Sequence, residues 1–191
     1  MLNTDTNRLE AFSDGVIAVL ITIMVLELKA PAGDQLQALR TLMPNFLVYA
    51  LSFVSIGTYW NNHHHLLKAA VRVTPRIMWS NMLLLFSLSL IPFFTAWFGQ
   101  NHASTIPTAC YGGIMFFAAM SYYNLVRAIL ADAGADSAFA KAVGDDYKGK
   151  LSAIATLISI PVAFISTWAA IALFIAVTAV WFIPERRFAD Q

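Results

Sequence analysis

Four polar side chains fall within two helical turns near the start of the chain. They are Arg8, Glu10, Ser13 and Asp14, in the stretch NRLEAFSD that begins at Asn7. Farther on, Trp60, Asn61 and Asn62 precede three consecutive histidines, His63, His64 and His65. A carboxylate with a histidine is the material of proton transfer, of a metal site, or of a buried hydrogen-bonded clamp. Consecutive histidines on a helix point in three directions, so the triplet does not converge on one ion. Zinc would also want four ligands. The single cysteine, Cys110, leaves neither an intrachain disulfide nor a cysteine cluster. No nucleophile–base arrangement stands out. The chain is therefore read as no enzyme, with no metal and no cofactor, and the acid and histidines as a structural pairing.

The elements that must position these residues are membrane helices. The chain has 191 residues, 59% hydrophobic and 12% charged, with a mean hydropathy of +0.65. A soluble domain carries about a quarter charged residues, so an integral membrane protein is expected. There is no basic run or acidic tail, which argues against nucleic acid as a partner. MLNTDTN has no basic n-region and no small-residue cleavage site follows, so no signal peptide is read and the first helix is retained. Spans of roughly 20 apolar residues are expected at about 8–28, 39–67, 77–98, 108–130, 149–165 and 167–184. The last two come from dividing one long apolar block near Ser166 to Trp168, with Pro161 expected to kink the fifth; five spans with one long tilted helix is the alternative. A short helix is expected at SAFAKAV, between the fourth and fifth spans.

With six spans, Arg8, Lys68, Arg72, Arg76, Arg127, Lys141, Lys148, Lys150, Arg186 and Arg187 fall on one side. That is ten of the twelve basic residues, with Lys29 and Arg40 opposite. The positive-inside rule then places both termini in the cytoplasm, and His102 on the other membrane face. Trp97, Tyr111 and Trp181 are expected near the interfaces as an aromatic belt. The chain reads as one six-helix domain with no internal repeat.

Asp14 sits about 10 Å into its helix beyond Asn7, at about 1.5 Å per residue. Facing lipid there would cost about 2.5 kcal/mol or more, so it is expected to face protein or water. Thr6 or Asn7 is expected to cap the helix, with Glu10 completing a capping box, and Arg8 to snorkel to the headgroups. The end of the second span lies at the same depth, which makes Trp60, Asn61, His63 and His64 candidate partners of Ser13 and Asp14. At 100° per residue, Phe12, Gly15, Val19, Ile23 and Leu26 form a separate apolar stripe, with Thr22 on its edge. From periodicity alone, packing surface is the plainer reading of that stripe. Glu27, on its flank, is read as solvated, with concentration of cations at a mouth as the alternative.

Arg8, Phe12, Ser13 and Asp14 spell R-x-x-x-F-S-D at the start of the first helix. With the continuation GVIAVLITIMVLEL and the WNNHH end of the second span, the chain resembles the prokaryotic branch of the transmembrane protein 175 family of potassium channels. The resemblance implies an all-α membrane protein with six helices per subunit and a single repeat. It implies a homotetramer whose four first helices line a central pore, in a bacterial plasma membrane. Val19, Ile23 and Leu26 would form a hydrophobic constriction, and Thr22 would supply a hydroxyl that favours potassium. Val19 departs from the isoleucine or leucine expected there. The motif residues would be the clamp that holds the helices, not the filter.

The resulting expectation is passive conduction of potassium, the permeant ion, with modest discrimination against sodium. Self and lipid are the expected partners. Two rivals remain: a proton-coupled secondary transporter using Asp14 and a histidine, and a non-conducting membrane assembly protein. CYGG at Cys110 to Gly113 is read as helix packing through glycines, not as a filter loop. No helix carries the spaced basic residues of a voltage sensor.

Overall fold

The computed structural model describes residues 4–31, 34–101, 104–134, 136–144 and 146–182. His102, Arg186, Arg187 and the end of the last expected span lie outside them. Eight helices occur among the described residues: α1 (Thr4–Leu26), α2 (Leu36–Thr41), α3 (Met43–Lys68), α4 (Pro75–Gln100), α5 (Thr105–Ala133), α6 (Ala138–Val143), α7 (Tyr147–Ile165) and α8 (Thr167–Phe182).

Local chemistry sets the boundaries. Thr74 caps α4 by accepting a hydrogen bond from Ile77 N–H, with Pro75 in the first turn where its missing N–H costs nothing. Ser137 caps α6 through Ala140 N–H. Asp146 adopts a left-handed conformation (φ 45°) and caps α7 through Gly149 N–H. The α5 helix stops at Gly134, whose φ of 85° suits a residue without Cβ. The second long helix starts later than its apolar pattern suggests. Leu39 belongs to α2, and α3 begins at Met43 with Pro44 in its first turn. The α7 helix runs past Pro161 to Ile165, and the break falls at Ser166, which is extended (φ −155°, ψ 113°).

Four of these helices are long and apolar enough to cross a membrane: Thr6–Leu26, Pro75–Gln100, Thr105–Ala133 and Tyr147–Ile165, with Thr167–Trp181 apolar but shorter. The α3 helix matches α4 in length but interrupts its apolar face with Ser52, Ser55, Thr58, Asn62 and the histidines. The α5 helix is central, packing against α4, α7 and α8, while α1 packs on α3 and α4. At the heart of the bundle, Tyr111 sits between Phe98 and Phe174, with ring centroids 5.1 and 5.0 Å away. Tyr111 is thus fully buried and bonded to Ser52, which removes it from the expected aromatic belt: a phenol with a partner inside gains by burial there. Gly112 brings α5 against α7, since a Cβ at that position would lie 2.6 Å from Ser159 Oγ.

Candidate functional site

The α1 helix has two faces with different fates. Ser13, Ile17, Leu20 and Met24, spaced by four, three and four residues, are buried against α3 and α4. The opposite face is left uncovered by the subunit: Val19 is 53% exposed, Ile23 44% and Leu26 75%. Phe12, Gly15 and Thr22 share that exposure. Only 22% of the apolar window of α1 is buried, the same share as for α7 and less than the 50% of α4, so α1 has much apolar surface still to cover. Thr22 donates its hydroxyl hydrogen to Val19 O at 2.9 Å. Its oxygen lone pairs are thereby left facing away from the helix.

The N-terminal half of the buried face is a polar network. Ser13 Oγ donates to Leu9 O at 2.8 Å and accepts from Asn81 Nδ2 at 2.9 Å. Asn81 Oδ1 lies 2.7 Å from His63 Nε2. Because the Asn81 amide nitrogen is committed to Ser13, its oxygen must accept, which assigns the His63 proton to Nε2. Ser13, Asn81 and His63 are all fully buried. Asp14 accepts from Trp60 Nε1 at 2.9 Å, and Glu10 pairs with His64 Nδ1. Among the described residues, Glu10, Asp14 and His64 are one group whose donor atoms lie within 4.8 Å of one another. Each acid already has a protein partner.

The structure therefore gathers Ser13 and Asp14 with Trp60, His63 and His64. Arg8, Phe12 and Asn61 are exposed on the subunit. Glu10 departs from the capping box expected of it. The α1 helix already runs from Thr4, so Thr6 and Asn7 lie inside it and neither is its cap; Glu10 faces α3 and meets His64 instead. Asn81 is the member that sequence reasoning missed. Its signal was an amide in the middle of the apolar run of α4, a residue type that needs partners wherever it is buried. At the same end of the bundle, Arg72 holds Asp132 through Nε and Nη2, both at 2.8 Å. That hydrogen bonding pushes the Arg72 guanidinium pKa up from its ordinary value.

Residues 8–92, which carry this network, match the family model described as endosomal/lysosomal potassium channel TMEM175. A potassium channel of Chryseobacterium sp. (strain P1-3) is 42% identical over 180 residues, covering 94% of this chain and 94% of its own length. The chicken endosomal/lysosomal proton channel TMEM175 is 32% identical over 136 residues, which are 62% of this chain and 27% of that one. The crystal structure of a lysosomal potassium-selective channel TMEM175 homolog from Chamaesiphon minutus superposes with a TM-score of 0.86 at 27% identity, covering 98% of this chain and 100% of that chain. With a relative this similar over nearly its whole length, the chain belongs to the TMEM175 family.

Proposed function

We propose that the chain is the subunit of a potassium-permeable channel that conducts passively along the uncovered face of α1. The observation that carries this reading is the back-to-back arrangement of α1: one face is tied to α3 and α4, while Val19, Thr22, Ile23 and Leu26 are left without a covering surface. Four copies around a common axis would turn these faces toward one another, each subunit crossing the membrane six times. Rings of branched side chains at Val19, Ile23 and Leu26 narrow such a pore and close it by dewetting. The Thr22 oxygens replace part of an ion's hydration shell. One hydroxyl ring, without a carbonyl filter, gives modest preference for potassium over sodium.

The Ser13–Asn81–His63 chain, the Asp14–Trp60 bond and the Glu10–His64 pair would hold each α1 to its own subunit. The distribution of basic residues along the sequence supports a reading in which this end, and both termini, lie in the cytoplasm of a bacterial cell. The names carried by the relatives from Chryseobacterium and Chamaesiphon support potassium as the permeant ion.

Purified protein in potassium-loaded liposomes tests the reading. A channel gives fast flux down the gradient with no coupling ion. Flux that requires a proton gradient would identify a transporter instead, and intact oligomers without flux would identify an assembly protein. Replacing Ile23 by serine should raise potassium conductance by about tenfold, since tenfold needs only about 1.4 kcal/mol off the barrier. Unchanged conductance would move the pore away from this face.

A further inference from the structure

A cavity lies among α3, α5, α7 and α8, and no described residue of α1 lines it. It encloses about 610 Å³ including its open mouth. Ser55 and Asn62 both line it. At about 1.5 Å per residue they are about 10 Å apart along α3, so the space extends about two helical turns.

Aromatic rings form much of the wall: Tyr59 on α3, Tyr122 and Tyr123 on α5, and Trp181 on α8. Three of them brace one another at steep angles. The Tyr59 and Tyr122 centroids are 6.0 Å apart, and those of Tyr122 and Trp181 are 6.3 Å apart. Trp181 is also fixed through Nε1, which donates to Ser152 Oγ at 3.0 Å. The face of such a ring carries negative potential. Trp181 already attracts a cation of its own chain: the Lys148 ammonium stands 4.8 Å from its centroid, within reach of a cation–π contact.

The formal charge on the described lining is the carboxylate of Asp146. Asp146 is only 8% exposed, and a charge so far removed from water acts more strongly on its surroundings. Thr58 and Thr156 line the cavity too. Thr58 Oγ1 donates to Ser55 O at 2.7 Å, and Thr156 Oγ1 donates to Ser152 O at 3.0 Å. With those protons spent, both hydroxyls have lone pairs left to offer. The described lining thus combines negative ring faces, a carboxylate and acceptor oxygens, and it includes no basic side chain.

We propose that this cavity binds a small alkylammonium ion, with the N–H groups toward Asp146 and the threonine oxygens and the apolar chain along Tyr59, Tyr122 and Trp181. An alkylammonium satisfies each part of the wall. Potassium has no N–H to donate and no apolar surface for the rings to cover. A neutral alcohol leaves the carboxylate unmatched, and an anion meets like charge. The site does not depend on the potassium reading, since it is built within one subunit and away from the α1 face.

The test titrates the purified oligomer with butylammonium by calorimetry, in about 150 mM potassium so that charges beyond about 8 Å are screened. Butanol and butyrate serve as the neutral and anionic probes of the same length. Butylammonium should bind with a dissociation constant of about 1 mM or tighter, and the other two should bind at least about tenfold more weakly. Asp146→Asn removes the charge but keeps an oxygen to cap Gly149 and a residue type that accepts the left-handed backbone. It should weaken butylammonium binding by about tenfold. Trp181→Leu should weaken it as well, in protein of normal oligomeric size. Lys148→Met should tighten it, because a like charge leaves the neighbourhood of Trp181. Asp34→Asn, at an exposed acid off the cavity, should bind as the wild type does. No binding of butylammonium, or equal binding in wild type and Asp146→Asn, overturns the proposal. Butanol that binds as tightly as butylammonium overturns it too, since the cavity would then be apolar space without charge selection. Potassium flux in liposomes that is normal in Asp146→Asn keeps the fate of this site distinct from that of the pore.

Discussion

Asn81 is the hinge of the polar network at residue scale. It bonds to both Ser13 on α1 and His63 on α3, and it does so with different atoms. An aspartate there could not donate to Ser13, and a leucine could do neither. Asn81→Ala strands the His63 N–H in a fully buried position, at a cost of about 1–3 kcal/mol for an unmade buried hydrogen bond. The expected result is a lower thermal midpoint for the purified protein, read by loss of the oligomer peak after heating. Asn61→Ala, at an exposed position on α3, should leave the midpoint in place. The chemistry of Asp14 was legible from its depth alone, because an acid in an apolar helix must find a partner. The identity of that partner was narrowed to one helix end, where Trp60 provides it. Asn81 was hidden because sequence depth arguments pair adjacent spans, and nothing in the spacing of α4 says that it passes beside α1.

At the scale of elements, helix existence followed from apolar run length, while helix ends followed from backbone chemistry that hydropathy does not report. The start of α3 is fixed by Pro44 and the break before α8 by the extended Ser166. The two faces of α1 were legible from 100° geometry, since burial of Ser13, Ile17, Leu20 and Met24 follows the same period. The role of Tyr111 was not legible. Near the end of an apolar run, a tyrosine destined for the interface and one destined for the core look alike. What decides between them is the serine on a neighbouring helix. Close approach of α5 and α7 depends on Gly112. Gly112→Ala would place a methyl 2.6 Å from Ser159 Oγ, so either the Ser159 side chain turns and gives up its bond to Thr156 O or the two helices part. Overpacking of this kind costs about 1–3 kcal/mol, so a lower thermal midpoint is expected. Gly113→Ala, where a Cβ meets nothing within 4 Å, should be neutral in the same assay.

At the scale of the whole molecule, the distribution of buried surface is uneven. The α4 and α5 helices are wrapped on several sides, whereas α1 and α7 present most of their apolar area outward, with 22% of each window buried. For a tetramer arranged about α1, the exposed Val19 positions of neighbouring subunits approach one another at the axis. Val19→Cys, in a background where Cys110 is replaced by alanine, should form intersubunit disulfides under mild oxidation, seen as dimers on non-reducing gels. Ile17→Cys, on the buried face, should not. Disulfides need Cα atoms within about 7 Å, so the yield also ranks how tightly the rings close. Equal cross-linking at both positions would reject the arrangement.

The bond from Trp60 to Asp14 has an optical consequence. An indole whose N–H is held by a carboxylate sits in a different local field from one facing lipid or water. Trp60 is one of five tryptophans in the chain, so its share of the emission is isolated by subtracting the spectrum of Trp60→Phe. A change in that share during flux would register movement of α1 against α3 from within the protein, with no label attached. The contact that steadies the helix is also a built-in gauge of when it lets go.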